Sequence, residues 1–198
     1  MPTSIGHALA GAAVGWGADL ITGRRAWRVA PATAAWYQRA GSGLTLACVL
    51  LAVLPDADLA FGTHRTYSHS IGAVIIVAIL AAAWAARRDR PVARIALTCA
   101  AAYATHLLLD WTATDIVAPR GIQAFWPFTT DWYISGWNLF KQTERRRFLS
   151  PPTLSMNALA SLQELLILAP VTLAIWLVRV KALARLSAEM SGRHQPPK

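Results

Sequence analysis

The sequence contains few charged residues, and acidic side chains are the scarcest of them. Of its 198 residues 15% are charged, with 10 Asp or Glu against 19 Lys or Arg. Soluble domains usually carry about 25% charged residues, so this composition argues against an ordinary soluble protein. By contrast, 55% of the residues are hydrophobic, which is typical of a chain that lies largely within a lipid bilayer.

Cysteine is also scarce, and no CxxC pair occurs. Cys48 and Cys99 both lie within apolar segments, so we expect two free, buried thiols and no disulfide framework. The sequence likewise lacks Lys and Arg before its first apolar run, which is unlike a secretory signal. Gly11 and Gly15 form a small-xxx-small pair in that run, and such pairs allow close helix packing. We therefore expect the first segment to be a packed helix that remains in the protein.

Five apolar segments predict the fold. A membrane-spanning helix needs about 20 mostly apolar residues, and residues 71–86 and 159–180 are the clearest candidates, because the other segments are short or rich in glycine. We predict an all-α fold, a polytopic transmembrane helix bundle with about five membrane segments. The segments are 4–21, 43–57, 70–86, 93–111 and 158–179.

A soluble all-α protein with very apolar core helices is the alternative interpretation. A bundle of this size could not bury five such helices on all sides. Of the nine Trp, Trp126, Trp132 and Trp137 lie in one loop, as aromatic residues at a membrane interface do. We expect residues 1–190 to form a single membrane-embedded domain and residues 191–198 to form a disordered tail.

The positive charges are distributed unevenly. In the five-segment topology, 13 of the 19 Lys and Arg residues lie on one side, in the loops 24–39 and 87–94 and from residue 179 onwards. Four others, between residues 141 and 147, lie on the opposite side. The positive-inside rule makes the first side cytoplasmic, together with the C-terminus. We attribute the net charge of +9 to topology and lipid headgroups, and expect no nucleic-acid partner.

An ionisable pair occurs near the end of the fourth segment. His106 and Asp110 form a His-Leu-Leu-Leu-Asp pattern, and residues four apart lie on one helix face, one turn apart. Such a pair in an apolar helix is costly and indicates a function. A simple hydrogen bond between the two side chains within the helix is an equal alternative.

Two carboxylates follow a proline at the end of the second segment. Pro55 would disturb the preceding helix, and Asp56 and Asp58 come directly after it. Carboxylates this close repel each other unless a cation lies between them. Solvated turns that contain Pro-Asp are also common, so the motif is weak by itself.

The stretch His-Arg-Thr-Tyr-Ser-His-Ser concentrates polar groups before the third segment. His64 and His69 are five residues apart, which is not one helix face, so we place His64 in a loop and His69 in the first turn of the next helix. Ser68 or Ser70 could cap that helix. Arg65 offers a planar fork suited to phosphate or carboxylate. A polar loop beside the membrane is the alternative interpretation.

Topology brings these motifs to one end of the bundle, opposite the basic loops, together with a histidine at the start of the first segment. Neutral imidazoles and carboxylates suit Zn²⁺, and Mn²⁺ or Fe²⁺ less well. Their number would fit one ion with orienting partners, or two ions. The predicted metal ligands are His7, Asp56, Asp58, His64, His69, His106 and Asp110.

In this order the motifs resemble the YdjM-like family of bacterial inner-membrane proteins, described as metal-dependent hydrolases. The family pattern has an N-terminal His, Pro-Asp-x-Asp, His-Arg-Gly-x-Thr-His-Ser, His-Leu-x-x-Asp and a Gly…Trp-Pro-Phe stretch. The resemblance covers about residues 5–128, with Thr66 in place of the usual Gly and Ser68 in place of the usual Thr. The matching residues are His7, Pro55–Asp58, His64–Ser70, His106–Asp110 and Gly121–Phe128.

The resemblance implies an inner-membrane location and a hydrolytic reaction. A more distant similarity to zinc-dependent phospholipase C and P1-type nucleases implies phosphoester hydrolysis, although this chain lacks a matching N-terminal Trp. We expect metal-activated water as nucleophile, one of the aspartates, Asp58, as general base, and Arg65 as the residue that stabilises phosphoryl charge. Membrane lipids are the expected surroundings, and a lipid phosphoester is a plausible substrate. The alternatives are a non-enzymatic metal-binding or metal-transporting protein and a polar His/Asp network without metal.

Overall fold

A computed structural model of the chain describes residues 2–21, 34–62, 64–144 and 149–193. Basic residues 24, 25, 28 and 145–147, as well as residues 194–198 of the predicted tail, lie outside these ranges. Over the described ranges the fold is all-α, as predicted, with five longer helices and one single-turn helix. These helices are α1 (Ser4–Gly17), α2 (Trp36–Arg39), α3 (Gly43–Val53), α4 (Ile71–Ala86), α5 (Val92–Thr112) and α6 (Pro151–Arg193).

Three helical stretches are long and apolar enough to cross a membrane, namely Gly43–Phe61, Val92–Thr112 and Pro151–Arg185. Helix α4 is apolar but has 16 residues, because Ser70 caps its start and Arg87 ends it. Helix α1 has 14 residues, which correspond to about 21 Å, less than the roughly 30 Å of a bilayer core. The described residues therefore support three candidate spans and one shorter apolar helix, and the five-segment topology stays a prediction.

Pro55 changes the helix type where the sequence predicts a disturbance. Helix α3 ends at Val53, and the chain continues as a 3₁₀ helix from Leu54 to Phe61 with Pro55 in its first turn. Proline lacks the amide hydrogen that would extend the α-helical ladder. The 3₁₀ helix carries both Asp56 and Asp58.

The start of α4 differs slightly from the sequence prediction. His69 lies in a separate 3₁₀ turn, Tyr67–His69, immediately before α4 and not in its first turn. Ser70 is the capping residue, since its hydroxyl accepts a hydrogen bond from the amide of Ala73 at 3.2 Å. The loop after α5 covers this helix start, because the amide of Gly72 donates to the carbonyl of Trp126 at 3.0 Å.

Helix α1 lies at the centre of the packing, in contact with α3, α5 and α6. A Cβ added at Gly11 would lie 2.5 Å from the Cys48 carbonyl oxygen, and one at Gly15 would lie 2.8 Å from the Thr45 Cα. The small-xxx-small pair therefore permits the close approach of α1 to α3, as predicted. Cys48 and Cys99 are free and buried, which confirms the prediction for them.

Polar contacts hold α6 to both ends of α1. At its start, Glu164 accepts hydrogen bonds from the Thr3 amide at 2.9 Å and the Thr3 hydroxyl at 2.5 Å, so a buried carboxylate caps the positive end of α1. At the other end, Asp19 pairs with Arg179 at 2.7 Å and with Arg94 of α5 at 3.0 Å. These contacts fix the register of α1 against its neighbours.

Candidate metal centre

The seven predicted ligands meet at one end of the bundle. They come from the start of α1, the 3₁₀ helix after α3, the segment before α4 and the last turns of α5. Six of them form two groups of three, and within each group the candidate ligand atoms lie within 4.8 Å of one another. These groups are His7, His106 and Asp110, and Asp56, His64 and His69.

The donor atoms that lie closest together come from both groups. The Nε2 atoms of His69 and His106 lie 3.0 Å apart. Asp110 Oδ2 lies 3.4 Å from the first and 3.3 Å from the second. Asp56 Oδ1 is more distant, at 3.9 and 3.8 Å from the same two nitrogens. His69, His106 and Asp110 therefore form a compact triad with Asp56 beside it.

Hydrogen bonds on the far side of both imidazoles determine which nitrogen faces the triad. His106 Nδ1 lies 2.8 Å from the carbonyl oxygen of Ala52, and His69 Nδ1 lies 3.1 Å from Asp58 Oδ2. The carbonyl and the carboxylate only accept. The Ser68 hydroxyl, 2.9 Å from His69 Nδ1, donates its hydrogen to Asp58, so each Nδ1 carries a hydrogen. A neutral imidazole then presents a lone pair at Nε2. Two such lone pairs 3.0 Å apart repel each other unless a proton or a cation lies between them.

Asp58 has no unused oxygen. Its Oδ1 accepts from His64 Nδ1 at 2.9 Å, and its Oδ2 accepts from the Ser68 hydroxyl at 2.5 Å and from the Arg65 amide at 3.2 Å, besides His69. A carboxylate that holds the outer nitrogen of a histidine is a common partner of metal-binding imidazoles. The geometry thus favours Asp58 as a residue that orients His64 and His69.

Asp110 and His7 are buried without such partners. Within the described part of the chain, both oxygens of Asp110 and both ring nitrogens of His7 lack a hydrogen bond, although His7 Nε2 approaches Asp110 Oδ1 to 3.5 Å. The His7 ring stacks on His106 with centroids 3.7 Å apart. A buried carboxylate without a hydrogen-bond donor is costly, so these atoms are suited to a bound cation.

The triad also has the dimensions of a metal site. Ligands at about 2.0–2.1 Å from a tetrahedral Zn²⁺ lie about 3.3 Å from one another. The three separations of 3.0, 3.3 and 3.4 Å are close to that value. The donor set of the chain therefore fits a divalent ion.

Comparison with known proteins identifies the family. Residues 1–185 match the family model described as YdjM inner membrane protein. The chain belongs to the YdjM inner membrane protein family. No curated protein and no solved structure matches the chain. Membership confirms the resemblance drawn from the motifs and extends it from residue 128 into α6. Together with the three candidate spans, it identifies the protein as an inner membrane protein.

Electrostatics in this YdjM-family protein centre on His69. Its burial by itself would lower its pKa, but the carboxylates of Asp110 and Asp58 outweigh that effect and raise the pKa of His69 to about 9. In the metal-free protein a proton on His69 thus balances part of the negative charge. A metal ion would have to displace that proton.

Asp56 and His64 are the most solvent-exposed of the seven predicted ligands. The side chains of His69 and His106 are fully buried, whereas Asp56 is 10% and His64 is 20% exposed. Access to the triad is therefore from the side of Asp56 and His64.

Arg65 connects the centre to the loop after α5. Its guanidinium forms an ion pair with Asp115 and lies 5.6 Å from the Trp132 ring centroid. The left-handed backbone conformation belongs to Arg65, with a φ of 69°, and not to Thr66, whose φ is −101°. The replacement of the usual family glycine at position 66 therefore creates no positive-φ strain.

Sequence reasoning missed two acidic residues that the fold uses. Asp115 accepts from both Arg65 and the Gly121 amide, and no motif marks it. Glu164 is fully buried and is the only carboxylate among the apolar residues 151–180. The rule that selected His106 and Asp110, an ionisable residue within an apolar helix, would also have selected Glu164.

Proposed function

We propose that this protein is a membrane-embedded, metal-dependent hydrolase of phosphoesters, with a lipid-type phosphoester as its substrate. The observation that carries the proposal is the triad, in which the Nε2 atoms of His69 and His106 and one oxygen of the buried Asp110 lie 3.0–3.4 Å from one another. This donor set matches the ligands and spacing of a divalent metal site, and a bound ion would replace the proton on His69.

His69, His106 and Asp110 would hold the ion, and Zn²⁺ suits their imidazole and carboxylate donors best. Three protein ligands are typical of catalytic zinc, whereas structural zinc has four. When bound, the ion would supply Lewis-acid polarisation of the substrate and a more acidic water. Asp58 and the Ala52 carbonyl orient the two imidazoles, and His7 lies against the second oxygen of Asp110.

Asp56 is better placed than Asp58 to accept a proton during hydrolysis. Its Oδ1 lies 3.8–3.9 Å from both triad nitrogens, and its side chain is 10% exposed whereas those of the triad are 0–1% exposed. The oxygens of Asp58 are occupied by four donors. We therefore assign the general base to Asp56, and Asp58 to the positioning of the histidines.

Arg65 and an apolar rim support a phosphoester that comes from the bilayer. Arg65 follows His64 in the same loop, and its guanidinium is held by Asp115 and Trp132. A guanidinium is suited to phosphoryl oxygens. Phe61 is 80%, Tyr67 54% and Phe128 82% exposed. Phe61 and Tyr67 belong to the elements that carry the ligands, so a lipid tail has apolar surface next to the centre.

Metal transport has less support than hydrolysis. Over the described residues, groups of three or more His, Cys, Asp or Glu with ligand spacing occur at this end of the bundle alone. A transport path would require further ligands deeper in the spans. The polar cluster at the other end consists of Asp19 paired with two arginines.

The test is to measure metal content and hydrolysis on the same purified samples. Wild-type protein in detergent is assayed with a chromogenic phosphodiester, a phosphomonoester and a phospholipid in mixed micelles, before and after removal and return of Zn²⁺. We expect Asp56→Asn to keep the metal and lose at least about 100-fold in rate. The exposed Asp131→Asn is the matched control. Metal-loaded protein that hydrolyses none of these substrates would refute the hydrolase and leave a metal-binding protein.

A further inference from the structure

A cavity of about 530 Å³ lies at the end of the bundle opposite the metal centre. We call it the basic-end cavity. The start of α3, the end of α4 and the start of α5 form its walls, and Asp19, Ser42 and Arg90 are its polar residues. The apolar lining residues are Leu44, Ala47, Ala81, Trp84, Ile95 and Cys99.

The deep part of this cavity is apolar. Ile95 and Cys99 are 5% exposed and belong to a buried cluster with Ala85. Cys99 lies seven residues into α5, which begins at Val92, and seven residues of helix correspond to about 10 Å. The cavity therefore extends from a polar mouth well into the apolar part of the bundle. Its volume is within the usual range of ligand pockets, about 300–1,000 Å³.

The mouth of the cavity has a net positive charge. Asp19 is the acid that lines it, and two arginines, Arg94 and Arg179, already pair with that carboxylate. Arg90 lines the mouth as well. The segment from Arg87 to Arg90 contains three arginines and one acid, Asp89. An anionic group is therefore favoured at this position.

The surroundings of the cavity are those of a lipid-facing site. Trp84, which lines it, is 52% exposed, and Ile79 and Leu80 on the same helix are 61% and 64% exposed. These side chains lie on apolar helices of an inner membrane protein, so an acyl chain can enter from the bilayer without crossing water.

We propose that the basic-end cavity binds one acyl chain of an anionic phospholipid, with the phosphate at the arginine-rich mouth. The apolar depth accommodates the chain, and the charge at the mouth discriminates against zwitterionic lipids. This site is separate from the metal centre and does not depend on the hydrolase proposal.

The experiment compares lipid retention by native mass spectrometry of the full chain in detergent. Phosphatidylglycerol and phosphatidylcholine with identical chains are titrated separately. We expect one phosphatidylglycerol to bind at least about tenfold more tightly, as a charge-assisted contact predicts. Arg90→Gln should weaken phosphatidylglycerol binding more than phosphatidylcholine binding and so reduce this preference.

Cavity-filling variants provide the second arm. Ala81→Phe on the α4 wall and Ala47→Phe on the α3 wall should each reduce phosphatidylglycerol binding to the level of wild-type phosphatidylcholine binding. Ala83→Phe, at an exposed position of the same helix as Ala81, is the matched control and should bind like wild type. An unchanged size-exclusion profile and Tm in detergent show that each variant is folded. Equal binding of the two lipids, or full binding by both filled variants, would overturn the proposal.

Discussion

Replacement of Asp110 by Asn tests the metal centre most directly. The side chain is 1% exposed and lies 3.3–3.5 Å from three histidines, so Asp110→Asn preserves its shape and removes its charge. Breaking a buried charge pair by loss of one partner costs about 3–5 kcal/mol. At about 1.4 kcal/mol per tenfold change, metal affinity should fall by about 100-fold to 4,000-fold.

The same loss should be visible in stability. An ion at 100 times its dissociation constant stabilises the folded state by about 2.7 kcal/mol, which corresponds to about 5–10 °C in Tm for a chain of this size. Chelation should therefore lower the Tm of the wild-type protein in detergent by that amount. The Tm of Asp110→Asn should be low from the start and insensitive to the chelator.

Elemental analysis of the purified proteins and competition with a chromophoric chelator provide the two measurements of metal binding. Asp131→Asn, which alters an exposed carboxylate, should behave like wild type in both. His69→Ala should lose the metal as Asp110→Asn does. If both variants retain one full equivalent of metal, the triad is not the metal site and the reasoning is refuted.

Four further results are expected. In chelated protein, the pKa of His69 is about 9, against about 6.5 in the unfolded chain, so its stabilising contribution is complete below pH 6.5 and is lost as pH rises through 9. The Tm of chelated wild type should therefore fall over this pH range, whereas the Tm of His69→Gln and that of metal-loaded wild type should not. Glu164→Ala should lower the free energy of unfolding by about 1–2 kcal/mol, because it removes the cap from α1, and an unchanged Tm would contradict that role. A reporter fused after residue 193 should be cytoplasmic, and an outside location would place the metal centre on the cytoplasmic side. Lipid-borne quenchers at headgroup depth should quench Trp126 fluorescence, measured as the difference from Trp126→Phe, whereas quenching only at mid-bilayer depth would argue against an interfacial loop.

Local patterns predicted the local structure well. The spacing of His106 and Asp110 places both on one face of α5, Pro55 marks the change from α to 3₁₀ geometry, and the Gly11–Gly15 pair marks the contact of α1 with α3. Each of these depends on neighbours within about one helical turn or on a residue with a single steric property. Such information is contained in the sequence itself.

Lengths of the helices were predicted less well. Hydropathy alone does not determine where hydrogen bonding ends: α1 ends at Gly17, four residues before the predicted end, and α6 extends over Pro151–Arg193 where 158–179 was predicted. The bounds of α4, Ile71–Ala86, agree with the prediction. The 3₁₀ turn that carries His69 also separates that residue from α4. Helix ends also depend on capping contacts from distant parts of the chain, such as that of Glu164 with Thr3 at the start of α1.

The class of the protein and the residue types of its centre follow from the sequence, because membrane solvation selects apolar segments and metal chemistry selects His and Asp. Only the tertiary structure decided which atoms face one another. The Ala52 carbonyl turns His106, and Asp58 turns His69, so that two Nε2 atoms meet Asp110 while Asp56 stays at the accessible side. A backbone carbonyl has no sequence signature, and these partners lie 54 and 11 residues from the groups they orient. Their meeting depends on helix packing, which only the folded chain specifies.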